Sequence, residues 1–138
     1  EVMSIKSIEM ERAVYDATTE FHIFQPANID PHAWELTVHN DDGTTAVTAT
    51  VTFFEHDGTA DKGTGTEITQ DKDGVMTYTI ATDTVVGLVF ERVARAIKVK
   101  ITGGGATIDT KVLFKAWQLY TNSVIDGGPG TAVTGLAT

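Results

Sequence analysis

The stretch Val93–Trp117, VARAIKVKITGGGATIDTKVLFKAW, constrains the fold of this chain more than any other. Ile97, Val99 and Ile101 alternate with Lys98, Lys100 and Thr102. That period of two marks a strand with one buried and one open face. Gly103, Gly104 and Gly105 follow and read as a turn, because glycine reaches positive φ without steric cost. Ile108, Val112 and Phe114 then alternate with Asp109, Lys111 and Lys115. With the apolar faces aligned, the pattern predicts a hairpin in which Ile101 lies opposite Ile108 and Lys100 faces Asp109. Such a hairpin has one oily face that needs a second layer and one mostly basic face left open.

The same logic predicts a second hairpin. Trp34, Leu36 and Val38 alternate with Glu35 and Thr37, Asp42-Gly43 supplies a turn signal, and Val47, Ala49, Val51 and Phe53 return against Thr48, Thr50 and Thr52. Shorter strands are expected over residues 21–25, 75–81 and 85–91, with a further short one at 67–70. Residues 1–11 support two readings. Val2, Ile5 and Ile8 keep a spacing of three, whereas Ile8, Met10, Arg12 and Val14 alternate, so the segment is either an arm that docks elsewhere or a first strand. A helix across 10–20 competes, weakened by Thr18 and Thr19.

From Thr121 onward glycine and small residues dominate, with isolated hydrophobes at Val124, Ile125, Val133 and Leu136. That texture has no room for a packed core and reads as a tail ordered by a neighbouring subunit. The organisation is therefore an N-terminal arm over 1–11, a β-sandwich domain over 12–120 and a Gly-rich C-terminal tail over 121–138. Seven or eight short strands with regular turn signals and no long amphipathic helix make an all-β fold. A single jelly-roll-like sandwich with extended terminal arms is the first expectation, and an immunoglobulin-like sandwich the second.

Composition narrows the function. Ten basic residues against nineteen acidic ones leave a net charge of −9, which argues against nucleic acid as a partner, since phosphate contacts need Lys or Arg. No run approaches the roughly 20 apolar residues of a membrane span. The opening EVMSIKSIEM has neither a basic nor a long apolar region, so no retained signal peptide is expected. Cysteine is absent, which removes thiolate nucleophiles and cysteine-bound zinc.

No pattern amounts to a catalytic site. The acid-glycine loops at 41–43, 56–58 and 71–74 carry the residues of calcium loops, but lack the alternating acids and distant Glu of an EF-hand and read as turns. His39 and His56 stand about a strand length apart, roughly 20–30 Å, so they cannot share an ion. Serines fall only near the ends, at Ser4, Ser7 and Ser123, and no nucleophile elbow is present. Neither enzymatic activity nor a cofactor is expected. Trp34 shares a face with Leu36 and Val38 and is assigned to the core, while Trp117 and Tyr120 close the last strand. Six of the ten basic residues crowd into one stretch: Arg92, Arg95, Lys98, Lys100, Lys111 and Lys115. Together with Trp117, Tyr120, Val124 and Ile125 they are the interface candidates, a basic sheet face suited to an acidic neighbour.

The segments WELTVHNDDGTTAVTATVTFFEHDGT and FERVARAIKVKITGGGATIDTKVLF resemble small β-sandwich virion proteins of tailed bacteriophages, and look most like capsid decoration (cement) proteins. The shared texture is a DGT loop after an alternating strand, then an ARxIKVKITGG strand and a closing Thr/Lys strand, over roughly residues 33–117. The resemblance implies a non-enzymatic subunit on the surface of a virion capsid. Its partners would be the major capsid protein and further copies of itself, often as trimers. Sandwiches of similar texture also serve as carbohydrate-binding modules in host attachment and as tail or head–tail accessory proteins.

Overall fold

A computed structural model describes residues 3–17, 19–54, 76–103 and 108–121, with the backbone alone for 3–7 and 119–121. Among these residues eight strands run in chain order: β1 (Met3–Tyr15), β2 (Thr19–Phe24), β3 (Ala33–Asn40), β4 (Val47–Phe54), β5 (Met76–Ile80), β6 (Thr84–Phe90), β7 (Ala96–Gly103) and β8 (Thr110–Thr121). They form two antiparallel sheets with the orders β1-β8-β3-β6 and β2-β7-β4-β5. The all-β sandwich is thus as expected. Strand β1 pairs with β8, β2 with β7, β3 with β6 and β4 with β5. The chain is a set of nested antiparallel pairs folded over on itself, which is the connectivity of a jelly roll.

That nesting corrects both expected hairpins. Strands β7 and β8 lie in opposite sheets, so Lys100 pairs with Phe21 and Thr50, not Asp109, while β8 pairs with β1 and β3. Strands β3 and β4 likewise face each other across the core. The sequence-adjacent pair that is hydrogen-bonded is β4–β5, joined through residues 55–75. The physical reason is plain. An apolar face can be buried by a facing sheet as well as by a layer beneath a hairpin, and alternation does not distinguish the two.

None of the described residues in 10–20 is helical, and the expected boundary at residue 12 falls inside β1. Residues 3–11 are therefore strand, paired with β8 through one extra residue, Lys6, between Ile5 and Ser7. The last pair of β3 with β8 is Ala33 with Trp117, and β1 and β8 run on together to Met3 and Thr121. The tail beyond Thr121 and the short strand expected at 67–70 lie outside the described residues.

Between the sheets, Leu36, Val38, Val112 and Phe114 of one meet Val47, Ala49, Val51, Ile97, Val99 and Ile101 of the other, all buried. Each of these apart from Ala49 contributes about 1.5–3 kcal/mol by leaving water. A row of aromatic rings zigzags across the interface: Phe24 on Trp34 (6.1 Å), Trp34 on Phe53 (5.8 Å), Phe53 on Phe90 (5.3 Å) and Phe90 on Tyr78 (6.4 Å), all near edge-to-face. Trp34 is fully buried, and its Nε1 donates to the carbonyl of Arg92 at 3.1 Å.

Candidate functional site

The two ends of each sheet give the sandwich two unlike sides. On one side are the edges β1 and β2. Strand β1 is amphipathic in the unusual sense: Ile8, Met10 and Val14 point outward, 51%, 63% and 63% exposed, while Glu9 and Glu11 alternate with them on the inner face, above the buried Tyr15. Glu9 accepts a hydrogen bond from Asn28 Nδ2 at 3.2 Å, and Glu11 Oε2 lies 3.2 Å from His22 Nε2 of β2. Glu20 closes the β1–β2 corner by accepting from the backbone N–H groups of Ala17 (2.6 Å) and Asp16 (2.8 Å), which hold its carboxyl below the usual range. Tyr15 Oη donates to the Val99 carbonyl at 3.3 Å. Burial first, then the charges of Glu20 and Glu11, push that phenol far above its ordinary value. Carboxylates directed inward on an edge strand discourage another chain from adding to it.

On the other side are β5 and β6, and neither carries an ionisable residue other than the phenol of Tyr78. Val86, Leu88 and Phe90 of β6 pack toward the core, while Val85 (58% exposed), Gly87 and Val89 (64%) face outward. Strand β5 directs Met76, Tyr78 and Ile80 inward and Thr77 and Thr79 outward.

The end of the sandwich where β1–β2, β3–β4, β5–β6 and β7–β8 connect is acidic and tightly bonded. The buried Asn40 donates through Nδ2 to the carbonyls of Thr45 (2.9 Å), Ala81 (3.1 Å) and Ile80 (3.3 Å), and its Oδ1 accepts from Asp42 N–H at 3.1 Å. Asp42 caps its own turn, accepting from Thr44 N (2.7 Å), Thr44 Oγ1 (2.8 Å) and Thr45 N (3.2 Å), bonds that lower its carboxyl pKa. The DDG sequence is therefore a turn, though between sheets and not within a hairpin. Lys111 donates to Asp109 (3.1 Å) and Asp41 (3.3 Å), which raise its pKa, and His39 stands 3.7 Å from Asp41.

The six basic candidates do not form one face. Lys98 and Lys100 point outward from β7 on one sheet, and Lys111 and Lys115 point outward from β8 on the opposite sheet. Arg92 and Arg95 lie in the β6–β7 connection, with the Arg92 guanidinium 5.1 Å over the Phe53 ring and the Arg95 N–H bonded to the Phe54 carbonyl at 2.8 Å. Around Lys98 and Lys100 the outer face is built of threonines: Thr102 pairs with Thr48 and Thr19, Thr48 with Thr79, and Thr50 with Thr77. Trp117 is half-buried on the outer row of β8, opposite Ile8. Tyr120 is opposite Ser4 by its backbone, and Val124 and Ile125 lie outside the described residues.

No family model matches this chain, and no curated protein matches it either. A solved structure of Bacillus endospore appendages, which form a family of disulfide-linked pili, is similar at 20% identity. The match covers 89% of this chain and 93% of that one, with a TM-score of 0.47. The likeness is one of general β-rich fold.

The histidines are dispersed. His22 lies on β2 beside Phe114 (5.3 Å) and Glu11, His39 at the acidic end, and His32 in the β2–β3 connection, where its backbone N–H donates to the Trp117 carbonyl at 3.0 Å. His56 lies outside the described residues. Alternation carries the signal for the inward carboxylates of β1 without assigning them: Glu9 and Glu11 alternate with Ile8, Met10 and Arg12, but the pattern alone does not say which set faces the core.

Proposed function

We propose that this chain is a non-enzymatic structural subunit, and that its setting is the surface of a tailed-phage capsid, where copies bridge the major capsid protein and resist expansion of the shell. The observation that carries the reading is the placement of apolar side chains on the outer rims of three edge strands. Ile8, Met10 and Val14 on β1, Phe21 on β2, and Val85 and Val89 on β6 are all more than half exposed around a tightly packed slab. A rigid body with apolar rims is suited to contacts with neighbours, and many weak contacts add by avidity on a lattice.

The test is co-sedimentation of the purified chain with purified capsids, with light scattering of the chain alone. Capsid binding that saturates is expected, and a chain that ignores capsids overturns the reading. Because the lysines divide between two outer faces, charge reversal reports which face meets the shell. Either Lys98→Glu with Lys100→Glu, or Lys111→Glu with Lys115→Glu, is expected to abolish binding while the other pair leaves it intact. The carbohydrate-binding reading has less behind it, since Trp34 and Tyr15 are core residues and offer no stacking surface. A glycan array with a reproducible ligand would revive it.

A further inference from the structure

We propose that β6 is a self-recognition strand: it pairs antiparallel with β6 of a second copy about a two-fold axis through Gly87, joining two four-stranded sheets into one of eight strands. The inference rests on the structural-subunit reading and names one of its contacts.

The two sheets present four edge strands, β1 and β6 in one and β2 and β5 in the other. An edge strand presents a row of unpaired N–H and C=O groups, and soluble proteins protect such rows with charges, prolines, bulges or covers. Two of the edges here are protected: β1 has Glu9 and Glu11 on its inner face and a bulge at Lys6, and β2 has Glu20 and His22 on its inner face. Among the described residues, strand β6 has none of these. Its seven residues, TVVGLVF, include no charge and no proline, and among the described residues its backbone pairs with β3 alone. Strand β5 is also uncharged but is shorter, at five residues.

The sequence of β6 is matched to itself when reversed about Gly87. An antiparallel partner in that register sets Val85 against Val89 on the outer face, Val86 against Leu88 on the inner face, and Gly87 against its own copy. Every cross-strand pair from Val85 to Val89 is then apolar, on both faces. A pairing with either carboxylate-lined edge does worse. Placing β6 beside β1 or β2 of a neighbour sets Val86 and Leu88 against inward carboxylates or an imidazole. The isologous contact also closes, so it yields a dimer and no open filament. Just outside the strand the same register sets Asp83 opposite Glu91 of the second copy, twice, and like charges there weaken the pairing. The association is accordingly modest and strengthens as salt rises.

Sedimentation equilibrium of the full chain tests this with two variants. A Cβ added at Gly87 meets nothing within 4 Å, so Gly87→Lys leaves the subunit intact but sets two ammonium groups face to face on the axis. The wild type is expected to form dimers below about 1 mM, and Gly87→Lys to raise the dissociation constant tenfold or more, roughly the scale of a 1.4 kcal/mol loss. Glu91→Lys places opposite charges across Asp83 and is expected to tighten the dimer by about threefold or more. Misfolding gives species that grow without limit and not a tighter two-subunit complex, so the second variant guards the first. A wild type that stays monomeric, an unchanged Gly87→Lys constant, a weaker Glu91→Lys dimer, or trimers or species that grow without limit would each overturn the proposal. Because the chain is tested without capsids, a monomer that still binds shells sinks this inference alone. A dimer that ignores shells sinks the functional reading and leaves this one standing.

Discussion

Gly103 and Ile108 meet where the chain leaves one sheet for the other: a Cβ on Gly103 would stand 2.8 Å from Ile108 Cγ1 and 3.7 Å from Val47 Cγ1. Ile108 is buried, and Gly103 pairs with Val47 in the last rung of β7 with β4. The glycine is needed there for space, as the chain crosses over the edge of the core. Gly103→Ala is expected to destabilise the fold by about 1–3 kcal/mol, the usual cost of overpacking. A denaturant midpoint equal to that of the wild type would show that Ile108 has room to retreat.

Trp34 is the hub of the aromatic row, touching Phe24 and Phe53 while its indole N–H satisfies the Arg92 carbonyl. Trp34→Ala is expected to cost about 3–5 kcal/mol, enough to unfold a domain of ordinary stability at physiological temperature. Trp34→Phe retains much of the ring contact but orphans the carbonyl, and is expected to cost less. Thermal melting followed by circular dichroism ranks the two; equal costs would place the loss in the hydrogen bond and not in the packing.

Asn40 ties the β3–β4 and β5–β6 connections together at the acidic end. Replacing it by Ala strands the carbonyls of Thr45, Ile80 and Ala81 and the N–H of Asp42. A loss of about 1–3 kcal/mol is expected for such unsatisfied groups. Amide exchange should accelerate first at residues 41–45 and 81–83. If exchange rises uniformly, Asn40 supports the core and not the loops.

Stability should fall at both ends of the pH scale, for different groups. The Glu20 and Asp42 carboxyls have lowered pKa values in the folded chain, so their contribution is present above the unfolded carboxyl range and is lost as pH falls through the folded values, below about pH 4. Tyr15 and Lys111 have raised values, so their contribution is complete below about pH 10 and is lost as pH rises beyond it. In urea titrations across pH, Glu20→Gln and Asp42→Asn should flatten the acid limb and Tyr15→Phe the alkaline limb. An acid limb unaltered in both carboxyl variants assigns acid unfolding to other groups.

Alternation along the chain determined which side chains are inside. Trp34, Leu36, Val38, Val47, Ala49, Val51, Ile97, Val99, Ile101, Val112 and Phe114 are legible as core from the period of two, and all are buried. The Asp42 turn was legible too, because an Asx side chain bonds its own backbone locally. On β1 alternation alone leaves an arm and a strand both open, and the structure turns the apolar set outward and Glu9 and Glu11 inward.

Strand partnership was decided only by the tertiary structure. Lys100 and Asp109 are near in sequence and share an alternating texture, yet their strands lie in different sheets, and the lysines that share one stretch of chain divide between opposite faces of the slab. The physical reason is that a strand's side-chain pattern records what its two faces meet, whereas pairing runs through backbone groups that are the same at every residue. Which edges remain open is a property of the completed sheets, and it left β1 and β2 lined with carboxylates and β6 with bare valines.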